Sequence, residues 1–325
     1  MSYNSEAYER ESSRALIDEV ATRIDREHRD ALDRLMASIP PRLNSLIMEV
    51  SAETEKPEPW LDTGLGPLDY LLDGGIRGGE VFVLAARPSV GKSAFALQVA
   101  LHVAQQVPVA VWSLEMKPKA WIRRAICSLS GISPKRLRRG EMREEESALF
   151  VQAANELGCL DIHFAVGDTT PSGFAEEAAR QAEENQCGLL VIDYLQLMQP
   201  EKGAYNRENE VATASRTIKQ VALRENVCVL LLAQCNRNAE GKAPNLSDLR
   251  ESGSVEQDAD EVFFLHRERD WDSHVLGASG VGILAKNRDG EAGSFSLRYD
   301  GPRYKFYPID RIHEAPTNGR RAYEP

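Results

Sequence analysis

The chain has 325 residues, of which 42% are hydrophobic and 27% charged, and this length can bury the core of one large domain. Its 39 basic and 50 acidic residues leave a formal net charge of −11, which excludes a uniformly basic nucleic-acid-binding surface. No apolar run of about 18 residues occurs, the charged N-terminus is unlike a signal peptide, and the five cysteines form no C-x-x-C pair. We therefore expect a cytoplasmic protein with reduced thiols and no membrane contact.

Residues 1–59 differ in composition from the rest of the chain, because they contain eight basic and thirteen acidic residues. Apolar residues recur at three- and four-residue steps from Ile17 to Ile39, which predicts a helix that ends before Pro40. The polar, proline-containing stretch 51–59 is typical of a linker. We predict a short helical N-terminal extension whose thin apolar stripe packs locally or docks on a neighbouring subunit.

From residue 60 onward, short apolar runs alternate with helical segments. The apolar runs are 81–85, 109–113, 189–194, 227–233, 261–265 and 280–285, and the helical segments are 93–106, 119–130, 144–157, 174–184 and 208–224. This alternation predicts an α/β domain over 60–313 with a mainly parallel sheet flanked by helices. Residues 280–307 are expected to form antiparallel strands that turn at 288–290, and 314–325 a disordered tail.

A phosphate-binding loop is the most informative segment, because it follows a predicted strand and opens a predicted helix. The loop reads Ala86-Arg87-Pro88-Ser89-Val90-Gly91-Lys92-Ser93. Its backbone N–H groups and the helix N-terminus attract phosphate oxygens, Lys92 neutralises charge, and the Ser93 hydroxyl suits Mg²⁺. Ala86 replaces the first glycine of the general pattern. The loop predicts that the protein binds a nucleotide with Mg²⁺.

Polar residues at the ends of other predicted strands complete a candidate hydrolytic site. Asp193 ends the buried run 189–193 and could hold Mg²⁺. Glu115 follows the run 109–114, at the edge where a general base for water would lie. Gln234 ends the run 227–233 and is placed to sense the γ-phosphate.

Several segments together resemble the ATPase domain of DnaB-type replicative helicases, a branch of the RecA-like motors. The matching strings are TGLGPLDYLLDGGIRGGE, AARPSVGKSAFALQVA, SLEM, VIDYLQLM, AQCNR, SDLRESGSVEQDADEVFFLHR and AKNRDGEAG. They occur in the family's order and cover most of residues 63–307. The resemblance implies a RecA-like P-loop NTPase core, and the family commonly has alanine where Ala86 stands.

The resemblance also implies roles for matching positions. Lys92 and Ser93 would bind the phosphates and Mg²⁺, Glu115 would be the catalytic base, and Asp193 the second-motif acid. Gln234 would link nucleotide state to DNA contacts. In the AKNR string, Arg288 would be an arginine finger for the adjacent subunit's site, with Lys286 as its partner.

The same resemblance implies DNA contacts from two loops, 199–210 with Arg207, and 246–256 with Arg250, Glu251 and Gly253. The implied activity is an ATP-dependent DNA helicase that moves 5′ to 3′ on single-stranded DNA as a homo-oligomeric ring, a hexamer, in DNA replication. A RecA-like DNA-dependent ATPase that regulates helicase loading or recombination without unwinding is the alternative. A non-catalytic interaction module is disfavoured by the intact motifs.

Two features of the sequence, the residues that precede the match and a basic stretch, have more than one interpretation. About 60 residues precede the match, which is enough for a linker helix and too few for the family's N-terminal domain, so a loader or primase stands as a candidate partner beside DNA. The stretch 117–143 carries nine basic residues against one acid. It could bind nucleic acid, bind an acidic partner face, or be a solvated surface.

Overall fold

The computed structural model describes residues 60–165, 168–199, 207–236, 242–269, 276–309 and 313–314, together with positions 43, 46 and 50. The chain divides into two compact units, 1–59 and 60–325. Apart from those three positions, the helix and linker predicted for 1–59 lie outside the described residues. So does the predicted tail, except Glu314, which pairs with Gly293.

The second unit is built on one ten-stranded sheet, counted over the described residues. The strands are β1 (Val81–Ala86), β2 (Val109–Ser113), β3 (Ile162–Phe164), β4 (Leu189–Asp193), β5 (Cys228–Gln234), β6 (Glu261–Arg269), β7 (Leu276–Asn287), β8 (Gly293–Asp300), β9 (Lys305–Pro308) and β10 (His313–Glu314). Strands β3-β2-β4-β5-β1-β6 lie in that order and are parallel. Beyond β6, strands β7 to β10 continue the sheet in antiparallel pairs.

Eight α-helices are described in this unit. They are α1 (Gly66–Leu71), α2 (Lys92–Val103), α3 (Pro118–Ser130), α4 (Pro134–Arg139), α5 (Glu144–Gly158), α6 (Pro171–Asn185), α7 (Arg207–Glu225) and α8 (Gly253–Asp258). Local chemistry sets several of their ends. Proline begins α3, α4 and α6, where its missing N–H costs nothing, and left-handed Gly131 and Gly140 end α3 and α4.

The core lies on both faces of the sheet, as the near-continuous apolarity of the strands predicted. In β1 alternate residues join opposite clusters: Phe82 and Leu84 pack on the α2 side, while Val81 and Val83 pack toward α7. On the α2 side, the ring of Phe95 lies 5.2 Å from that of Phe263 and 5.6 Å from that of Phe306. Because helices cover both faces of the parallel strands, a site in that part of the sheet is expected at the strand ends.

Most of the predicted elements are confirmed, including the antiparallel turn after residue 287. The prediction missed α1, β3, α4 and α8, which are short elements of three or six residues that carry little periodic signal. Two predicted loops were too long: α7 already begins at Arg207, and 246–252 forms a 3₁₀ helix that leads into α8. Within the described residues no helix has the length and apolarity to cross a bilayer.

Glu261, the first residue of β6, has a buried carboxyl group. It lies at the amino ends of the parallel strands, opposite the ends that carry the phosphate-binding loop. Glu261 is 3% exposed, and its Oε2 has no hydrogen-bond partner among the described residues. Burial raises the pKa of Glu261 to about 9; the nearby Glu80, Asp260 and Asp289 raise it too, and Lys219 opposes them. The group is therefore protonated in the folded protein at neutral pH.

We expect Glu261→Gln to stabilise the fold at pH 7 and above. The folded protein holds a proton that the unfolded chain, with a pKa near 4.5, has released, so stability falls as pH rises from about 5 to about 9. Glutamine removes this loss and should add about 1–3 kcal/mol at pH 7. Urea unfolding at several pH values measures it, with the exposed Glu183→Gln as control. An unchanged pH dependence in Glu261→Gln would contradict the assignment.

Candidate active site

The phosphate-binding loop joins the end of β1 to the start of α2. Ala86 and Val90 are buried, Pro88 and Ser89 are exposed, and Gly91 lies at φ +119° directly before the helix. A Cβ at position 91 would lie 2.7 Å from Cζ of Phe306, so both the backbone angle and the space there require glycine. On the other side of the loop, Arg87 donates from Nη1 to the Asn236 carbonyl at 2.9 Å.

The ammonium group of Lys92 is held at the mouth of this loop. Its Nζ donates to the Ala233 carbonyl at 3.3 Å and lies 4.5 Å from the centre of the Tyr194 ring. Burial lowers the pKa of Lys92, and the carboxylates of Asp193 and Glu115 oppose that shift. The site therefore presents a partly desolvated cation, which attracts phosphate more strongly than a solvated one.

Asp193 ends β4 next to Lys92 and is 3% exposed. Burial raises its pKa, while a hydrogen bond from the Ser93 side chain and the charge of Lys92 lower it, and Glu115 raises it again. Its Oδ1 has no hydrogen-bond partner among the described residues. Buried oxygen atoms of this kind, beside the Ser93 hydroxyl, fit Mg²⁺, which prefers oxygen ligands.

Glu115 and Gln234 lie at the same edge of the sheet. The backbone N–H groups of Leu114 and Glu115 donate to the Asp193 carbonyl at 2.7 and 3.2 Å, which ties the end of β2 to the end of β4. Glu115 is exposed, and its charge acts on both Lys92 and Asp193. Gln234 is exposed in register with Ala86. Four parallel strand ends thus bring the predicted residues together.

Lys286 and Arg288 lie at the opposite edge of the sheet. In register, Asn287 pairs with Glu261 and Glu261 with Phe82, four residues before Ala86, which is about 13 Å along the strand. Lys286 donates from Nζ to the carbonyls of Glu256 and Ala259 at 2.7 and 2.6 Å. The two cations therefore lie far from their own phosphate-binding loop.

The predicted DNA-binding residues lie on α7 and on the turn before α8. Arg207 begins α7, and Arg250 and Glu251 belong to the 3₁₀ helix; the side chains of these three are outside the described residues. Gly253 is exposed at the start of α8, and nothing lies within 4 Å of where its Cβ would be. The structure gives the elements on which these residues lie, and their contacts with DNA stay predictions.

Comparison with known proteins identifies the family. The family model described as "DnaB-like helicase C terminal domain" matches residues 61–308. The chain belongs to this family. The matched range spans the sheet from before β1 to the end of β9, so it includes both edges described above.

Curated relatives of this DnaB-like domain are replicative helicases. The chain is 36% identical over 262 residues to replicative DNA helicase DnaC of Bacillus subtilis (strain 168), covering 77% of this chain and 57% of that protein. The figures for replicative DNA helicase DnaB of Geobacillus stearothermophilus are the same. The chain thus spans 57% of the length of these two relatives.

Two solved structures share the fold. The ATPase domain of G40P has a TM-score of 0.76 at 30% identity, covering 84% of this chain and 100% of that one. A DnaB-like replicative helicase, described with its interactions with primase, has a TM-score of 0.74 at 28% identity, covering 94% of this chain and 77% of that one. The RecA-like fold and the family resemblance predicted from the motifs are both confirmed.

Arg267 is a site residue of the DnaB-like domain that the sequence reasoning missed. It is 8% exposed in β6, donates from Nη1 to the Val90 carbonyl at 2.9 Å, and stacks 4.3 Å above the Tyr299 ring. Its Nε donates to the Gly277 carbonyl at 2.9 Å. Arg267 thereby ties the phosphate-binding loop to β7 and β8. An arginine two residues after the apolar run 261–265 was the available signal.

The basic stretch 117–143 of the domain covers α3, α4 and the turn to α5. Within it Arg136 pairs with Glu146 at 2.7 Å, and Arg143 lies 3.4 Å from Glu145. Arg124 stacks 5.4 Å above the Tyr304 ring. Part of the positive charge is therefore compensated by α5, which reduces the charge left for nucleic acid or an acidic partner.

Proposed function

We propose that this protein is an ATP-hydrolysing DNA helicase that moves along single-stranded DNA as a closed ring of identical subunits. The observation that carries the proposal is the division of catalytic groups between two edges of one sheet. Lys92, Asp193 and Glu115 gather at one edge, and Lys286 and Arg288 lie at the other. A site completed by a neighbour makes hydrolysis depend on assembly, as a ring motor requires.

The edge that carries the phosphate-binding loop binds ATP and directs water. The backbone N–H groups of residues 91–93, at the start of α2, and the Lys92 ammonium bind the β- and γ-phosphates. Ser93 and Asp193 would hold Mg²⁺, which would neutralise phosphate charge. Glu115 accepts a proton from the water that attacks the γ-phosphorus. The bond from that phosphorus to the β,γ-bridging oxygen breaks, giving ADP and inorganic phosphate.

The opposite edge serves the next subunit. In a head-to-tail ring, which we propose to be a hexamer, Arg288 and Lys286 approach the γ-phosphate bound by the neighbour and stabilise the charge of its transition state. This arrangement agrees with the half-exposed position of the Arg288 side chain, 51% exposed. Cooperation between subunits then follows, because each ATP is held by one chain and activated by another.

DNA contacts come from the start of α7 and from the turn before α8. Arg207 and Arg250 attract the phosphates of single-stranded DNA, while Gly253 and Glu251 shape the surface near the strand. Gln234, at the end of β5, reports the state of the γ-phosphate to these elements. Movement is 5′ to 3′, as the family resemblance implies. A primase or a helicase loader is a further partner, since one structural relative is described with primase.

The direct test is a pair of assays on the purified protein with Mg²⁺ and ATP. We expect single-stranded DNA to stimulate ATP hydrolysis and a labelled forked duplex to be separated in an ATP-dependent manner. Hydrolysis without strand separation would support the non-unwinding DNA-dependent ATPase instead. No hydrolysis at any protein or DNA concentration would contradict the proposed function altogether.

We expect Glu115→Gln to lower the turnover number for ATP by about 10²–10⁴-fold, since glutamine cannot accept the proton. ATP binding should persist, because Glu115 is exposed and lies after the end of β2, outside the phosphate-binding loop. Nucleotide-binding titration and steady-state hydrolysis measure the two effects. Glu183→Gln, an exposed carboxylate near the end of α6, is the matched control and should hydrolyse ATP normally. Equal activity in both variants would remove Glu115 from the mechanism.

A further inference from the structure

The carboxylate of Asp260 lies between two cations at the start of β6. Its Oδ1 accepts from Arg288 Nη1 at 2.7 Å, and its Oδ2 accepts from Lys219 Nζ at 2.6 Å and from the Val81 backbone N–H at 2.8 Å. The residue is 3% exposed. Both oxygens of one buried carboxylate are thus engaged, and one of them holds the guanidinium proposed to act in the neighbouring site.

The backbone fixes Asp260 from both sides. Its N–H donates to the Val81 carbonyl at 3.1 Å, and its own carbonyl accepts from the Arg288 N–H at 3.1 Å. Lys219, on α7, also donates to the Gly79 carbonyl at 2.9 Å. Asp260 is therefore anchored to β1, to α7 and to the turn that carries Arg288, which makes it a rigid support for that side chain.

Arg288 itself is held without being covered. The guanidinium has five N–H donors in a planar fork, and Asp260 receives one of them in the described hydrogen bonds. The side chain remains 51% exposed. A carboxylate on one side of the fork fixes its direction while other donors stay available to phosphate oxygens. The charge of Asp260 is shared with Lys219, so Arg288 keeps part of its positive potential.

We propose that Asp260 is a positioning residue for Arg288, holding its guanidinium in the orientation that reaches the γ-phosphate bound by the adjacent subunit. The proposal rests on the proposed function of Arg288. Arginine carries substantial rotamer entropy, which would otherwise be lost when the transition state forms. Asp260 restricts the Arg288 side chain before ATP binds. It therefore acts in the subunit that donates Arg288 and not in the subunit that binds the ATP.

Asp260→Asn should lower the turnover number about ten- to hundredfold with little change in KM for ATP, because Val81, which Asp260 contacts, lies five residues or about 16 Å along β1 from Ala86 at the start of the loop. Lys219→Met is the matched control: it breaks the other ion pair of the same carboxylate and leaves the contact with Arg288 in place. We expect its turnover number to stay within about twofold of the wild type. Equal losses in both variants would mean that Asp260 acts only through general stability.

Mixing variants identifies which subunit Asp260 serves. Asp260→Asn subunits should recover hydrolysis when mixed with Lys92→Ala subunits, which donate an intact finger to an intact loop. They should not recover with Arg288→Ala subunits, since both then lack a working finger. Recovery with Arg288→Ala instead would show that Asp260 serves its own loop. A turnover number above the wild type would show that Asp260 restrains the finger. Either result overturns the proposal.

Two further arms separate the possible failures. Asp260→Glu keeps the charge and both acceptor oxygens but moves the carboxylate by about one bond length, so it should fold and give the same mixing pattern. Full activity of Asp260→Glu subunits, or recovery with Arg288→Ala rather than Lys92→Ala, would also overturn the proposal. The mixture of Lys92→Ala with Arg288→Ala is the reference. Absence of recovery there would refute the shared site itself rather than the role of Asp260.

Discussion

Replacing Lys92 with alanine is expected to abolish ATP-dependent strand separation and to lower the turnover number for ATP by about 10²–10³-fold. The Lys92 ammonium lies at the mouth of the phosphate-binding loop, where its Nζ is 3.3 Å from the Ala233 carbonyl and stacks on the Tyr194 ring. Because the ammonium group is partly desolvated, it attracts phosphate more strongly than a cation in solvent would, and cations from solution cannot take over its role. Steady-state hydrolysis and fork unwinding measure the loss.

Stability provides the control for this prediction. Burial lowers the pKa of Lys92, which means that the folded protein holds its charged form at a cost. Removing that charge should leave the midpoint of thermal unfolding equal to or slightly above that of the wild type. A marked loss of stability would show that reduced hydrolysis follows from misfolding. Turnover close to that of the wild type would contradict the proposed phosphate site.

Arg288→Ala is expected to lower the turnover number about 10³–10⁵-fold, the range associated with arginine fingers. ATP affinity should change little, because Arg288 lies at the edge of the sheet opposite the phosphate-binding loop of its own chain. Nucleotide titration and single-turnover hydrolysis separate binding from chemistry. The combination of normal binding and lost turnover distinguishes a finger from a folding residue.

The matched control is Arg180→Ala. Arg180 is 45% exposed and pairs with Glu177 and Glu184 on α6, so its exposure is similar to that of Arg288 and it also forms ion pairs with carboxylates. Losing an exposed ion pair costs about 0–1 kcal/mol, and hydrolysis should be normal. Equal loss of turnover in Arg180→Ala and Arg288→Ala would mean that the effect is not specific to the finger.

The phosphate-binding edge could be predicted from the sequence because its signals are local. Gly91, Lys92 and Ser93 are adjacent, and Asp193 directly ends a short apolar run that reads as a strand. Parallel strands carry their carboxyl ends to the same edge, so the convergence of Glu115, Asp193 and Gln234 follows from the fold class alone. The structure supplies the distances and the desolvation of Lys92.

The opposite edge could not be predicted in the same way, because its contacts join residues far apart in sequence. Asp260 and Arg288 are 28 positions apart, and Asp260 and Val81 are 179 apart. No local pattern marks Asp260 as a partner of either residue. The resemblance implied the role of Arg288 but not what holds it. Arg267 was missed for the same reason, since its contact with Val90 spans 177 positions.

Short helices and strands could not be predicted from the sequence either. The strand β3 is the outermost of the parallel strands and has three half-buried residues. It therefore has too few alternating positions to be recognised from the sequence. The family resemblance implied a loop over 246–256, which includes the turn before α8. In the structure Asn245 caps that turn, accepting the Ser247 N–H at 2.9 Å, and makes it helical.

The most direct test of the account is hydrolysis by mixed rings of Lys92→Ala and Arg288→Ala subunits. Each variant alone lacks one half of every site, whereas a mixed ring contains some sites with an intact loop on one chain and an intact finger on the next. We predict that the mixture hydrolyses ATP well above the sum of the two separate variants, with a maximum at intermediate ratios. Activity that never exceeds that sum, in mixtures proven to co-assemble, would contradict a site shared between subunits.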